Sequence, residues 1–72
     1  GRMNATEIIG KRALDRDANA LGKVIDMEVD PSTWTVSHIT VKMGLIKKAT
    51  VTIDMIDKVG DEVFLKVTKD QL

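Results

Sequence analysis

Apolar residues recur at every second position along most of this 72-residue chain. The pattern is clearest between Gly22 and Asp30, where Ile25, Met27 and Val29 are predicted to share one face. Two acids lie between them and are predicted to occupy the opposite face. Because successive side chains of a β-strand point to opposite faces of a sheet, this period predicts strands buried on one side. The sequence therefore predicts an all-β fold.

Residues that end strands or form turns divide the chain into five or six short strands. Pro31 has no N–H to donate to a ladder, so the second strand ends before it, and Gly44 marks a later turn. Turns recur about every 8 to 12 residues along this chain, and short strands with this spacing are typical of a small barrel or sandwich. We favour a small β-barrel, because closure removes sheet edges that would otherwise aggregate. The predicted strands span 11–15, 22–30, 35–43, 49–53 and 63–68.

Several local irregularities are also predicted. Val36 is out of phase with Ile39 and Val41, which predicts a bulge or a sharp bend in the third strand. Gly60 is expected to supply a positive φ in the last hairpin. One-turn helices are predicted near the N-terminus and from Asp54 onward, because each segment begins with a residue that can cap a helix.

The composition excludes several classes of site. The chain contains no cysteine and one histidine, His38, so neither a disulfide framework nor a closed zinc site can be assembled. Lysine plus arginine and aspartate plus glutamate both number 11, giving a formal net charge of zero. Nucleic-acid binders usually carry a basic excess that neutralises phosphates, so no binding of nucleic acid is expected. A domain this small has little stability in reserve, which favours support from a second copy of the chain.

The sequence gives no indication of a membrane-spanning segment. No apolar run approaches the ~20 residues of a transmembrane helix, and no leader typical of a signal peptide is present. We therefore expect a cytoplasmic protein with no direct membrane insertion. Gly1 and Arg2 precede Met3 and are interpreted as a remnant of expression, which leaves a single domain over residues 3–72.

Groups that could carry catalysis or bind a metal are few and separated. Asp26 and Glu28 share the outer face of their predicted strand, where carboxylates are usually solvated rather than held in a dry site. His38 falls on the outer side of its strand, and Ser32 and Ser37 have no matching acid and base. We therefore predict no catalytic, metal or cofactor site, and we expect that the protein is not an enzyme.

Apolar residues that the strand pattern places outside the core indicate a function more clearly than the polar groups do. Val63, Phe64 and Leu65 are consecutive, so they cannot all face the core, and Phe64 is predicted to point outward. The chain's one tryptophan follows a turn, and an apolar pair lies in the turn after Gly44. Protein interfaces favour aromatic residues, so we predict a homodimer built partly on Phe64. The candidate protein-interface residues are Phe64, Trp34, Leu45 and Ile46.

An ordered set of short motifs runs along nearly the whole chain. It consists of Gly10, Leu21-Gly22, Asp30 and Val59-Gly60-Asp61, with apolar strands between them. Over residues 7–67 this set resembles the PRC-barrel family, which implies a small β-barrel. The fold occurs in the cytoplasmic part of the photosynthetic reaction-centre H subunit, in the C-terminal half of the ribosome maturation factor RimM, and in small stand-alone archaeal proteins. This chain departs from the family at Ala18-Asn19, where a glycine is usual, so Asn19 is expected to take the strained conformation.

The chain resembles the stand-alone archaeal group most. Members of that group are linked to archaeal cell division, as dimeric adaptors around the membrane-anchoring protein SepF, which tethers the tubulin-like division ring. The resemblance therefore implies a homodimeric adaptor, recruited to the division site, whose partner is SepF or a second PRC-barrel protein. The alternative is a RimM-like factor associated with ribosomes or RNA processing, which the neutral charge disfavours.

Overall fold

Six strands form a single sheet in the computed structural model, which describes residues 2–72. Gly1, one of the two residues interpreted as a remnant of expression, lies outside the described residues. The strands are β1 (Arg12–Leu14), β2 (Ala20–Asp30), β3 (Thr35–Lys42), β4 (Lys48–Thr52), β5 (Ile56–Val59) and β6 (Val63–Leu65). The other elements are a one-turn helix, α1 (Ala5–Ile8), and two 3₁₀ turns, Ile53–Met55 and Lys69–Gln71. The prediction of an all-β fold with short strands and one-turn helices is confirmed.

The order of the strands in the sheet is β4-β3-β2-β1-β6-β5. Neighbouring strands are antiparallel except β1 and β6, which pair in parallel and place Ala13 beside Val63. The first and last strands of the chain are therefore neighbours inside the sheet. The two edge strands, β4 and β5, are consecutive along the chain and are joined by the first 3₁₀ turn.

The core consists of aliphatic side chains from five of the six strands. All of them are almost completely excluded from solvent, and most are β-branched, as expected for strands that pack side by side. Each such side chain contributes about 1.5–3 kcal/mol when it is fully buried. The central cluster contains Ala13, Val24, Ile39, Val41, Val51, Val63 and Leu65.

The predicted irregularity in the third strand is a β-bulge. Glu28 pairs with His38 and Val29 pairs with Val36, so Ser37 is an extra residue in β3. The extra residue shifts the alternation by one position, because side chains on a strand have a period of two. Val36 therefore returns to the same face as the core residues of β3, and the prediction at this position is confirmed.

A second bulge, in β2, overturns one sequence prediction. The pairing of β2 with β3 shifts between Val24 and Asp26, which leaves Ile25 as the extra residue. Val24 is consequently buried, whereas Ile25 is exposed. The prediction that Ile25 shares a core face with Met27 was wrong, because it assumed an unbroken alternation along the strand.

The sequence predicts left-handed backbone conformations at Asn19 and Gly60, and the structure has neither. Ala18, not Asn19, has a positive φ of 64°. The carboxylate of Asp15 accepts the backbone N–H groups of Asp17 and Asn19, at 2.9 and 2.8 Å. The N–H of Ala18 also donates to the carbonyl of Asp15 at 3.0 Å, so Asp15 closes the turn that contains the left-handed residue. Gly60 does not have a positive φ, so that prediction was also wrong.

The segment between β4 and β6 differs most from its prediction. Instead of a helix that starts at Asp54, the 3₁₀ turn Ile53–Met55 is followed directly by β5. The hydroxyl of Thr52 donates to the carboxylate of Asp54, so the chain turns before the predicted cap. Ile53 continues the alternation of β4 and is expected to face inward, but it is exposed because the strand has already ended.

The C-terminal strand is shorter than predicted. β6 ends at Leu65, and Val67 lies beyond it as a half-buried residue that packs against the core. The carbonyl of Val67 accepts the N–H of Arg16 at 2.9 Å, and the N–H of Lys66 donates to Met55 at 2.8 Å. The segment is therefore held beside the sheet by individual hydrogen bonds, although it no longer has the regular pairing of a strand.

Candidate interaction surfaces

Trp34 lies in the turn that joins β2 and β3, which we call the tip of this hairpin (residues 29–36). Its backbone has a positive φ of 55°, and its side chain is 80% exposed. A bulky residue rarely adopts this conformation, which costs about 1–3 kcal/mol when the surroundings impose it. The one tryptophan of the chain is therefore both strained and presented to solvent.

Asp30 holds the tip in this conformation. Its carboxylate accepts the hydroxyl of Ser32 at 2.7 Å and the backbone N–H of Ser32 at 2.9 Å. Its carbonyl accepts the N–H of Trp34 at 2.7 Å. The hydroxyl bond is the main cause that lowers the pKa of Asp30 below its ordinary value, and the backbone bond adds to it. The turn is thus a rigid support for the indole.

An apolar cavity of about 270 Å³ lies beside the tip. It occurs where β3 extends past β4, since the pairing of these strands ends at His38 and Thr52 and residues 35–37 have no partner on that side. The cavity lining contains no polar residue. The lining side chains are Ile8, Met27, Val36, Ile39, Ile53, Ile56, Val59 and Val63.

Acidic residues follow or precede several of the lining residues along the chain. Glu7, Asp54 and Asp57 are all exposed, and each is adjacent in sequence to an isoleucine of the cavity wall. The one cation of β5, Lys58, instead lies over an aromatic ring, with its ammonium 5.1 Å from the centroid of Phe64. The lining of the cavity is therefore entirely apolar, although acidic residues flank three of its isoleucines along the chain.

Phe64 lies between two core residues of β6 and is half-buried on the opposite face. Its neighbours in the sheet are Leu14 on β1 and Lys58 on β5. The cation–π contact with Lys58 gives the ring a partner within its own chain. Phe64 faces away from the core as the sequence indicates, and its role in an interface stays a prediction.

Leu45 and Ile46 lie in the loop that joins β3 and β4, at the opposite end of β3 from Trp34. Their side chains are 92% and 94% exposed, the largest values among the big apolar residues that the structure describes. Gly44 turns the chain with a φ of 122°, and the N–H of Met43 donates to the carbonyl of Lys47 at 2.8 Å. The loop is therefore closed at its base and presents its apolar pair outward.

The polar groups considered for catalysis have structural partners. The Nε2 of His38 is 2.5 Å from a carboxylate oxygen of Glu28, and its Nδ1 is 3.2 Å from the hydroxyl of Ser37. The carboxylate of Asp26 accepts the N–H of Met27 at 2.8 Å. Between residues 2 and 72, no group of three or more histidine and acidic side chains is placed to hold a metal ion.

The structure does not bring the four predicted interface residues together. Trp34 and the pair Leu45-Ile46 lie at opposite ends of β3, and Phe64 lies on another part of the sheet. The cavity was not predicted, and the phase break at Val36 is the one sequence observation that bears on it. No helix in the described part of the chain is long and apolar enough to cross a membrane.

Comparison with known proteins agrees with this architecture. Curated proteins show no match to the chain. The sequence profile of the family described as PRC-barrel domain matches residues 1–72, which is the whole chain. The chain belongs to the PRC-barrel domain family, whose fold is a non-catalytic binding fold.

Proposed function

We propose that this protein is a non-enzymatic interaction module that forms a homodimer through Trp34. The observation that carries the proposal is a tryptophan that is 80% exposed, has a left-handed backbone conformation, and is two residues from Val36 in the wall of an apolar cavity. Backbone strain of this kind concentrates at functional sites, and tryptophan is enriched among residues that dominate protein interfaces.

In the proposed dimer, Trp34 of each copy enters the cavity of the other. Val36 lines the cavity and is two residues from Trp34, so a two-fold axis beside this strand would exchange the two indoles. Aliphatic cavities of about 150 Å³ admit benzene, and a cavity of about 270 Å³ has room for the larger indole. In this proposal the indole N–H would donate to a carboxylate of the partner, and Asp54 and Asp57, each next to a lining isoleucine in sequence, are the candidates.

The surroundings of the cavity also support a protein interface. Val29, which pairs with Val36, and Ile53, which lines the cavity, are both exposed apolar residues. A standard interface removes about 800 Å² from each partner, roughly a sixth of the 5015 Å² surface of this chain.

The finer proposal is a cell-division adaptor, and its support is the resemblance to the stand-alone archaeal group. In this proposal the dimer works in the cytoplasm at the division site and binds SepF or a second PRC-barrel protein. A dimer presents every docking surface twice, which raises its effective affinity for a partner that is itself clustered. Titration of purified SepF into the dimer by calorimetry tests this step, and an absence of binding would contradict it while leaving the homodimer intact.

Sedimentation equilibrium combined with tryptophan fluorescence tests the homodimer. We expect a dimer whose emission is blue-shifted and protected from acrylamide, and which shifts to the red on dilution, because Trp34 is the one tryptophan of the chain. Trp34→Asn should weaken the dimer about 30-fold or more, since asparagine tolerates the left-handed conformation and removes only the indole. A monomeric parent protein in the micromolar range would remove the homodimer proposal.

Two further variants separate the candidate surfaces. Leu45→Asn removes an equally exposed apolar side chain at the other end of β3 and should leave the dimer unchanged. Phe64→Asp tests the outer face of β6, with Lys66→Ala as its surface control. A dimer that resists Trp34→Asn but dissociates in Phe64→Asp would place the two-fold contact on β6. Submicromolar binding to ribosomal RNA at physiological salt would instead favour the RimM-like alternative.

A further inference from the structure

The charges of this neutral chain are segregated. No aspartate or glutamate occurs from Pro31 to Ile53, so all 11 acids lie outside the hairpin formed by β3 and β4. The same stretch contains Lys42, Lys47 and Lys48. The hairpin is therefore positively charged, and the rest of the chain has the compensating negative charge.

Three lysines lie side by side across the sheet near the loop between β3 and β4. Lys23 pairs with Lys42, and Lys42 pairs with Lys48, so their side chains are on the same face, and all three are exposed. Like charges directly opposite each other destabilise a sheet. Within residues 2–72 none of these lysines has an ion-pair partner. Mutual repulsion of these cations does not stabilise the fold, and an anionic ligand outside the chain would relieve it.

The apolar pair Leu45-Ile46 projects from the same end of the hairpin. The two side chains are 92% and 94% exposed on a loop that the Met43–Lys47 hydrogen bond closes at its base. An exposed apolar loop beside a row of lysines is complementary to a surface whose outer layer is anionic and whose interior is apolar. This combination is typical of proteins that lie on a bilayer rather than span it.

We propose that this loop docks the protein peripherally on an anionic lipid bilayer. In contrast to the sequence expectation of no direct membrane insertion, Leu45 and Ile46 insert shallowly, at the boundary between headgroups and acyl chains. The ammonium groups of Lys23, Lys42, Lys47 and Lys48 lie beside lipid phosphates. Each lysine near such a surface strengthens binding about fivefold. The loop and Trp34 are at opposite ends of β3, so membrane docking and homodimer formation use separate surfaces, and either can fail without the other.

Flotation of the full chain with lipid vesicles tests the proposal. We expect binding to vesicles made of equal parts phosphatidylglycerol and phosphatidylcholine, little binding to pure phosphatidylcholine, and a loss of binding as salt is raised. Equal binding to both kinds of vesicle, or no binding to anionic vesicles at low salt, would overturn the proposal. Capture of an acidic protein by this loop without binding to vesicles would also overturn it.

Two double variants locate the contact. Leu45→Ser with Ile46→Ser should reduce binding about tenfold or more, since both apolar side chains leave the bilayer. Lys47→Glu with Lys48→Glu should also abolish most binding. The matched control is Lys66→Glu with Lys69→Glu, which changes the net charge equally at two exposed lysines outside the hairpin and should bind nearly as well as the parent. If the control loses as much binding as the loop variants, net charge alone explains the result and the proposed site is wrong.

Discussion

The two ends of the β2–β3 hairpin differ in how tightly they are packed. At the root, where Gly22 lies near the end of β3, a Cβ on Gly22 would be 1.9 Å from the carbonyl oxygen of Lys42. At the tip, the same two strands border a cavity of about 270 Å³ and support the strained, exposed Trp34. One hairpin thus contains the closest backbone approach among the described glycines and also borders an apolar cavity.

Under the proposed function, this difference divides stability and interaction along the hairpin. Tight packing at the root stabilises the monomer, because dispersion contacts are lost wherever a gap opens. The tip lacks such contacts around the cavity and has an unfavourable backbone angle at Trp34, so it stabilises the monomer less. Substitutions at the root are therefore expected to affect folding, and substitutions at the tip are expected to affect association.

Gly22→Ala should have the largest effect on folding. The new methyl group would overlap the backbone of Lys42, which cannot move aside as a flexible side chain could. We expect a loss of about 3 kcal/mol or more in the free energy of unfolding. Urea denaturation followed by circular dichroism measures it. A midpoint equal to that of the parent would mean that β2 and β3 can separate at no cost, which would contradict the tight root.

Trp34→Gly should change the stability of the monomer in the opposite direction. Glycine adopts a positive φ without strain, so the isolated monomer should gain about 1 kcal/mol. The measurement is urea denaturation at a protein concentration well below the dissociation constant of the proposed dimer. At high concentration the same variant should be less stable than the parent, because stabilisation by dimer formation is lost. If Trp34→Gly changes the free energy of unfolding in the same direction at both concentrations, Trp34 is not a strained interface residue.

Acidification should weaken the turns at both ends through their aspartates. The backbone N–H of Asn19 is the main cause that lowers the pKa of Asp15, and the hydroxyl of Ser32 does the same for Asp30. Both carboxylates therefore stabilise the fold above the unfolded-state value near 3.8, and this stability is lost as the pH falls through their lower folded-state pKa.

Asp15→Asn and Asp30→Asn test this acid sensitivity separately. Each variant should unfold with a smaller dependence on pH below about pH 4 than the parent does. Thermal melts across the acid range supply the measurement, and Asp17→Asn, which changes an exposed carboxylate in the same turn as Asp15, is the control. Parent-like acid sensitivity in both variants would show that these hydrogen bonds do not control the transition.

Gly60→Ala should have the smallest effect. No atom outside its chain neighbours lies within 4 Å of a Cβ at this position, and the backbone is not left-handed. Alanine restricts the unfolded chain more than glycine does, so we expect a gain of roughly 0.5 kcal/mol. Urea denaturation, as for Gly22→Ala, measures the change in the free energy of unfolding. A loss comparable with that of Gly22→Ala would mean that the two glycines are not distinguished by packing.

The period of two was sufficient to predict much of the core. Ile39, Val41 and Val51 are buried as the alternation requires. The alternation failed at Ile25 and Ile53, where a bulge and an early turn interrupt the strands. A bulge depends on how two strands pair, so one strand's own residues do not reveal its position unless the phase visibly breaks, as it does at Val36.

The candidate surfaces could be predicted only in part. The turn after Gly44 placed Leu45 and Ile46 outside the core, and the structure agrees. The cavity is lined by side chains from six elements that are spread along the chain from α1 to β6, so no short segment of sequence predicts it. The strain at Trp34 likewise comes from the hydrogen bonds of Asp30, which the composition of the turn indicates but does not determine.

The parallel pairing of β1 with β6 has a consequence for synthesis. Ala13 and Val63 are neighbours in the sheet, and the nearby ion pair of Arg12 with Glu62 joins residues 50 positions apart. Until β6 has left the ribosome, one edge of β1 has no partner, and Val63 and Leu65 are missing from the core. The domain must therefore complete its fold after translation of nearly the whole chain, and a nascent chain that stalls before β6 would expose its apolar face to chaperones and proteases.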